Sequence, residues 1–155
     1  MNHQRRGALK TGSGLGVFSL LLAAGMIKPE MAQAAWSKTA FEAKSLDAAL
    51  AAVNAGKPAE SADVVITAPD IAENGAVVPV GAVSKLPNTE QISILVTKNP
   101  NALAASFTLP AGTEPEVATR VKMGQTSDVY AVVKADGKFY MSKKEIKVTL
   151  GGCGG

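Results

Sequence analysis

After Pro58 the chain changes its period, and that change limits what it can fold into. Short runs rich in β-branched residues alternate with clusters of Gly, Pro, Asn, Asp and Ser: Val64–Thr67, Val77–Val83, Gln91–Thr97, Ser106–Leu109, Val117–Met123, Val129–Lys134 and Lys138–Leu150. Val117, Thr119, Val121 and Met123 take one face of their run while Arg120 and Lys122 take the other, the two-residue alternation of a half-buried strand. Asp136-Gly137 between the last two runs is a two-residue hairpin signal. Pro79 has no N–H to give a sheet ladder, so its run is expected at an edge or with Pro79 at the strand start. Short strands at this spacing predict an all-β, immunoglobulin-like antiparallel β-sandwich. No linker or internal repeat breaks the pattern, so residues 35–150 are expected to form one domain.

Residues 37–56 carry a different period. Leu46, Leu50 and Val53 recur at helical spacing with alanines filling much of the remainder. Ser45 either caps a second helix or lies inside one longer helix that starts near Lys38. Asn54-Ala55-Gly56 before Lys57-Pro58 supplies a stop. Trp36 and Phe41 are expected to dock this N-terminal helix on the sandwich.

Residues 1–34 read as an export signal. Arg5, Arg6 and Lys10 are its basic start, and the uncharged run of 17 residues from Thr11 to Ile27 is shorter than the roughly 20 apolar residues a membrane span needs. Ala32-Gln33-Ala34 is a small-x-small cleavage pattern, leaving Ala35 as the expected mature N-terminus. The stretch Gln4-Arg5-Arg6-Gly7-Ala8-Leu9-Lys10 resembles a twin-arginine signal, which exports proteins already folded. Gln4 and Ala8 depart from that pattern, so twin-arginine and general secretory export both stay open. Four of the sixteen basic residues and one of the thirteen acidic ones precede Ala35, leaving twelve of each in the mature chain. The basic overall balance therefore belongs to the signal and is no nucleic-acid footprint.

Chemistry is left to one atom. His3 is the only histidine and falls in the signal, so a zinc or copper site or a Cys–His dyad is not expected within the chain, nor any other cofactor site. Cys153 is the only cysteine, which rules out an internal disulfide and a C-x-x-C redox pair. Gly151 and Gly152 precede it, and Gly154 and Gly155 follow. Glycine reaches backbone conformations closed to other residues, so residues 151–155 read as a flexible arm that carries a thiol. A free thiol has a pKa of about 8.5 unless cations, a helix N-terminus or a metal lower it. Lys147 is the nearest cation, six residues away, so the thiol is not self-activating. It waits for other proteins to activate it, which is the logic of a carrier and not of a catalyst. The paired acids Asp70/Glu73 and Glu114/Glu116 sit beside Pro or Gly in expected loops, with no nucleophile near, and read as solvated turn carboxylates. Lys143, Lys144 and Lys147 precede the arm; they either protect an edge strand or draw anions and acidic partners towards Cys153.

Three stretches together resemble the SoxY family: Gly151-Gly-Cys-Gly-Gly155, residues 119–134 (TRVKMGQTSDVYAVVK) and residues 68–80 (APDIAENGAVVPV). The resemblance spans nearly the whole mature chain. It implies a periplasmic sulfur carrier, covalently loaded on Cys153, paired with a second β-sandwich subunit, SoxZ. It further implies transient partners: the haem cytochrome SoxAX couples thiosulfate to the thiol as a cysteine S-thiosulfonate. The hydrolase SoxB then releases sulfate, and a sulfane dehydrogenase acts in some systems. The competing reading of the residues alone is an immunoglobulin-like structural or adhesion subunit dimerised through Cys153.

Overall fold

The structure, a computed structural model, describes residues 37–149. Residues 1–34, read above as an export signal, Trp36, Leu150 and residues 151–155, read as an arm, lie outside the described residues. Among the described residues two short helices lead. In α1 (Lys38–Phe41) the Ser37 side chain accepts from the Ala40 N–H, and in α2 (Leu46–Ala52) Ser45 accepts from Ala48. Each cap satisfies a donor that the first helical turn leaves unpaired, an interaction of about 1 kcal/mol. The second-helix reading of Ser45 is thus the one that forms. Asn54, in the left-handed region at φ 58°, closes α2: the Ala55 N–H reaches back to the Leu50 carbonyl and the Asn54 N–H to Ala51.

Nine strands follow among the described residues: β1 (Ala59–Glu60), β2 (Val64–Thr67), β3 (Ile71–Ala72), β4 (Val78–Ser84), β5 (Thr89–Val96), β6 (Leu103–Thr108), β7 (Glu116–Val121), β8 (Ser127–Ala135) and β9 (Lys138–Val148). All seven expected runs become strands, β2 with the expected bounds. They form two sheets, one in the order β1-β9-β8-β5-β6 with β3 also on β9, the other β2-β4-β7. The fold is an all-β sandwich.

Two details differ from the sequence reading. β1 and β3 each pair parallel to β9, whereas antiparallel pairing is expected throughout. Two-residue strands are too short to show alternation, so nothing in the sequence marks them. Pro79 lies in the central strand of the small sheet, not at an edge. β2 pairs with Gly81 to Ser84 only, so on that side Pro79 stands before the ladder begins, a strand-start position.

The alternation places the core. Ile92, Ile94, Val96, Val129, Val133 and Ile146 of the large sheet face Val64, Val78 and Val80 of the small one. Each fully buried Ile or Val contributes roughly 1.5–3 kcal/mol relative to exposure. The other face of the large sheet carries Leu95, Leu103 and Val132, and the helices cover it with Ala49, Leu50 and Phe41. Phe41 therefore docks the helices as expected.

Candidate functional site

Cys153 and its flanking Gly151, Gly152, Gly154 and Gly155 lie outside the described residues. What the structure places is the point from which they leave, at the end of β9. There the last backbone donors are all taken. The Lys147 N–H donates to the Asp70 carbonyl at 2.9 Å, Val148 to the Thr126 hydroxyl at 3.0 Å, and Thr149 to the Ala72 carbonyl at 3.1 Å. β8 begins at Ser127, so beyond it β9 has no backbone partner on that side, and the Thr126 side chain stands in for one. On the other side β3 runs alongside, with Ile71 opposite Lys147 and Ala72 opposite Val148.

The turn after β3 wedges against this end. Asn74 Oδ1 accepts from the Ala76 N–H at 2.9 Å, and the Met123 N–H donates to the Gly75 carbonyl at 2.7 Å. Gly75 is buried. A Cβ there would fall on the Met123 carbonyl oxygen and 2.9 Å from Val148 Cγ1, so only glycine fits. Across the sandwich, Ser127 Oγ accepts from the Lys98 N–H at 3.1 Å, and Asn99 Nδ2 donates to the Lys122 carbonyl at 2.7 Å. Contacts thus run from Val148 through Thr126-Ser127, Lys98-Asn99 and Lys122-Met123 to Gly75, and back to Val148. The ring ties both sheets together around the root of the tail. Gly75, Asn99, Thr126 and Ser127 carry no signal in the sequence that marks them as members of this ring.

The lysines before the tail divide. Lys144 Nζ pairs with Asp70 Oδ1 at 2.9 Å and also donates to the Ala68 carbonyl, so it fastens the β3 strap to β9. Lys143 and Lys147 are exposed and share their face with Glu145. β9 is no bare edge, because β1 and β3 cover its outer side. The carboxylates do not converge: Asp70 is taken by Lys144, Glu73 and Glu114 are exposed loop residues, and Glu116 opens β7. Among the described residues no three His, Cys, Asp or Glu side chains group as metal ligands, and no helix is long and apolar enough to cross a membrane. The perturbed carboxyl is Glu90, at the opposite end of the sandwich. Its pKa is lowered by the hydrogen bond from Lys134 and next by the Gly137 N–H.

A family described as "Sulfur oxidation protein SoxY" matches residues 50–153, a span that ends on Cys153. The sulfur carrier protein SoxY from Chlorobium limicola f thiosulfatophilum is 39% identical, over 64% of this chain and 93% of that one, with a TM-score of 0.58. Superoxide reductase (neelaredoxin) from Ignicoccus hospitalis, 19% identical over 56% of this chain and 80% of its own, has a TM-score of 0.50; that likeness concerns the fold alone. No curated protein matches the chain.

Proposed function

The chain belongs to the SoxY family of sulfur-oxidation proteins, and from that premise we propose that it is a periplasmic sulfur carrier holding its cargo covalently on Cys153. The observation that carries this reading is the family match running through the sole cysteine. The Gly-flanked thiol is the one soft nucleophile in the chain. A cargo bonded to it is handed between enzymes without dissociating, and Gly151, Gly152, Gly154 and Gly155 let the tail enter differently shaped sites. Thiosulfate joins the thiolate by loss of two electrons to a haem cytochrome of the SoxAX kind, forming the S-thiosulfonate. A SoxB-like hydrolase removes the terminal sulfonate as sulfate. The chain supplies attachment and reach, and its partners supply the chemistry. A SoxZ-like β-sandwich subunit is its expected stable companion.

Mass spectrometry of the protein isolated from its native host tests this reading. Sulfane, sulfonate or thiosulfonate adducts on Cys153 are expected. Only Cys153–Cys153 dimers would favour the structural-subunit reading instead. Cys153→Ser should abolish loading and thiosulfate-dependent turnover while stability stays within about 0.5 kcal/mol of wild type. Turnover by the Ser variant would refute Cys153 as the site.

A further inference from the structure

The mature chain carries equal numbers of acidic and basic residues, yet the fold does not spread them evenly. β7 shows this on one strand. Its exposed face begins with Glu116 and ends with Arg120 and then Lys122. β7 runs out at the end of the sandwich where β9 ends, since Met123 bonds Gly75 and Gly75 abuts Val148, so the cations share that end with the root of the Cys153 tail. Lys98 joins them there through its backbone bond to Ser127, and the Asn99–Lys122 bond ties its turn to the end of β7. Asn99, Asn101, Leu103, Arg120 and Lys122 line a shallow cleft in the seam between the edges of β6 and β7. Lys98, Arg120 and Lys122 are exposed, and none forms an ion pair among the described residues.

The acids of this end are accounted for. Asp70 is taken by Lys144, and Asp128 lies opposite Glu145 on the helix-covered face of the large sheet, beside Lys143 and Lys147. Glu42, next to the Ala43 carbonyl that takes the Ala102 N–H, pairs with Lys38 at 3.6 Å, which leaves Glu73 to set against the three cations of the cleft. The far end holds Asp63, Glu114, Glu116 and Asp136 with Lys57, Lys85 and Lys138, besides the Glu90–Lys134 pair. A neutral carrier is not drawn to a partner by net charge, but a charge dipole along its length can orient it.

We propose that Lys98, Arg120 and Lys122 form a basic docking rim that seats the root of the tail against an acidic protein surface around the entrance of the enzyme that loads the thiol. This rests on the carrier reading above. The three cations come from two elements and lie open to solvent, with no buried polar group converging between them. That suits an extended carboxylate-bearing surface and not the enclosure of a small oxyanion.

The test uses thiosulfate-dependent turnover in periplasmic extract of a host strain lacking this chain, supplied with purified full-length protein. The charge-reversal triple variant Lys98→Glu, Arg120→Glu, Lys122→Glu is compared with the far-end control Lys57→Glu, Lys85→Glu, Lys138→Glu. The rim variant should lose about ten-fold or more in kcat/KM for the carrier at low salt, through KM, with the gap closing as salt rises. Its Tm and the labelling of Cys153 by a small thiol reagent should match wild type, and the control should lose far less. Three results overturn the rim: an unchanged kcat/KM, an equal loss in the control, or a shift in the thiosulfate concentration dependence instead of the carrier's. Failure of the carrier reading looks different, since Cys153→Ser would then turn over like wild type.

Discussion

The two ends of the sandwich are closed by different means. At the far end the β8–β9 hairpin turns through Asp136 and Gly137, both left-handed at φ 48° and 71°. Asn88, also left-handed, donates its side-chain N–H to Asp136 Oδ1 at 2.8 Å, and Glu90 takes Lys134 at 2.6 Å and the Gly137 N–H at 3.2 Å. Charge and backbone conformation lead there, joined by the Ser84–Thr89 hydroxyl pair at 2.8 Å. At the tail end no described residue is left-handed. Closure comes from hydroxyls, a carboxamide and a glycine pressed between Met123 and Val148, with the Lys144–Asp70 pair fastening β3 alongside. Chain geometry leads at one end and fit at the other, and the end where fit leads is the one from which residues 150–155 continue. A carrier gains from this division. The point from which its tail leaves is fixed by contacts from both sheets.

The strongest way to break this comparison is Gly75→Ala. One methyl must displace the Met123 carbonyl or Val148, and overpacking of this kind typically costs about 1–3 kcal/mol. Chemical denaturation should read that loss. Thiosulfate-dependent turnover should fall as well, because the β9 terminus is what the methyl pushes on. If Gly75→Ala matches wild type in both, the tail end is not held by fit. The rim and Cys153 variants described above act at the same end but on function, leaving stability unchanged, so the three sets separate support from contact and contact from chemistry.

Gly137→Ala probes the other end and is expected to act by a different route. No atom lies within 4 Å of the position where its Cβ would go, so space is ample, but φ 71° is unfavourable for any residue with a Cβ. The expected loss is about 1–2 kcal/mol, read by denaturation. Turnover should be untouched, since the hairpin lies at the end away from the tail. A fall in turnover comparable with that of Gly75→Ala would mean that the two ends are not independent.

The same contrast explains what the sequence disclosed. The far end was legible because its signal is local: Asp136-Gly137 names the turn type, and alternation on either side fixes the strands. The seven strands, the stop at Asn54 and the docking of Phe41 were legible for the same reason. The tail end was not. Its ring joins Thr126 to Val148, Asn99 to Lys122 and Gly75 to Met123, pairs between 22 and 48 residues apart, and nothing in the local pattern around any of them announces the partner. Lys144 shows the cost of reading locally. Beside Lys143 and Lys147 it looks like one of three equivalent cations, yet the fold brings Asp70 to it and leaves Lys98, Arg120 and Lys122 as the uncompensated group. Cys153 was legible without any fold, because a single thiol among glycines needs no tertiary context to stand out.

The smallest expected effect sharpens the claim that charge helps close the far end. Glu90 has its carboxyl pKa held below the ordinary 4.5, first by the Lys134 hydrogen bond and then by the Gly137 N–H. A carboxylate with a depressed folded-state pKa adds stability that is fully present above the unfolded value. That stability is lost as pH falls through the folded value. Glu90→Gln should therefore melt slightly below wild type at neutral pH, with the gap closing as pH is lowered past the ordinary carboxylate value. Comparing the two proteins at each pH cancels the titration of the other carboxylates. Added salt should also narrow the neutral-pH gap, because the pair is partly exposed and ion pairs open to solvent are weak and screened. A gap that persists unchanged from neutral to acid pH would assign Glu90 a packing role and leave the far end held by backbone geometry alone.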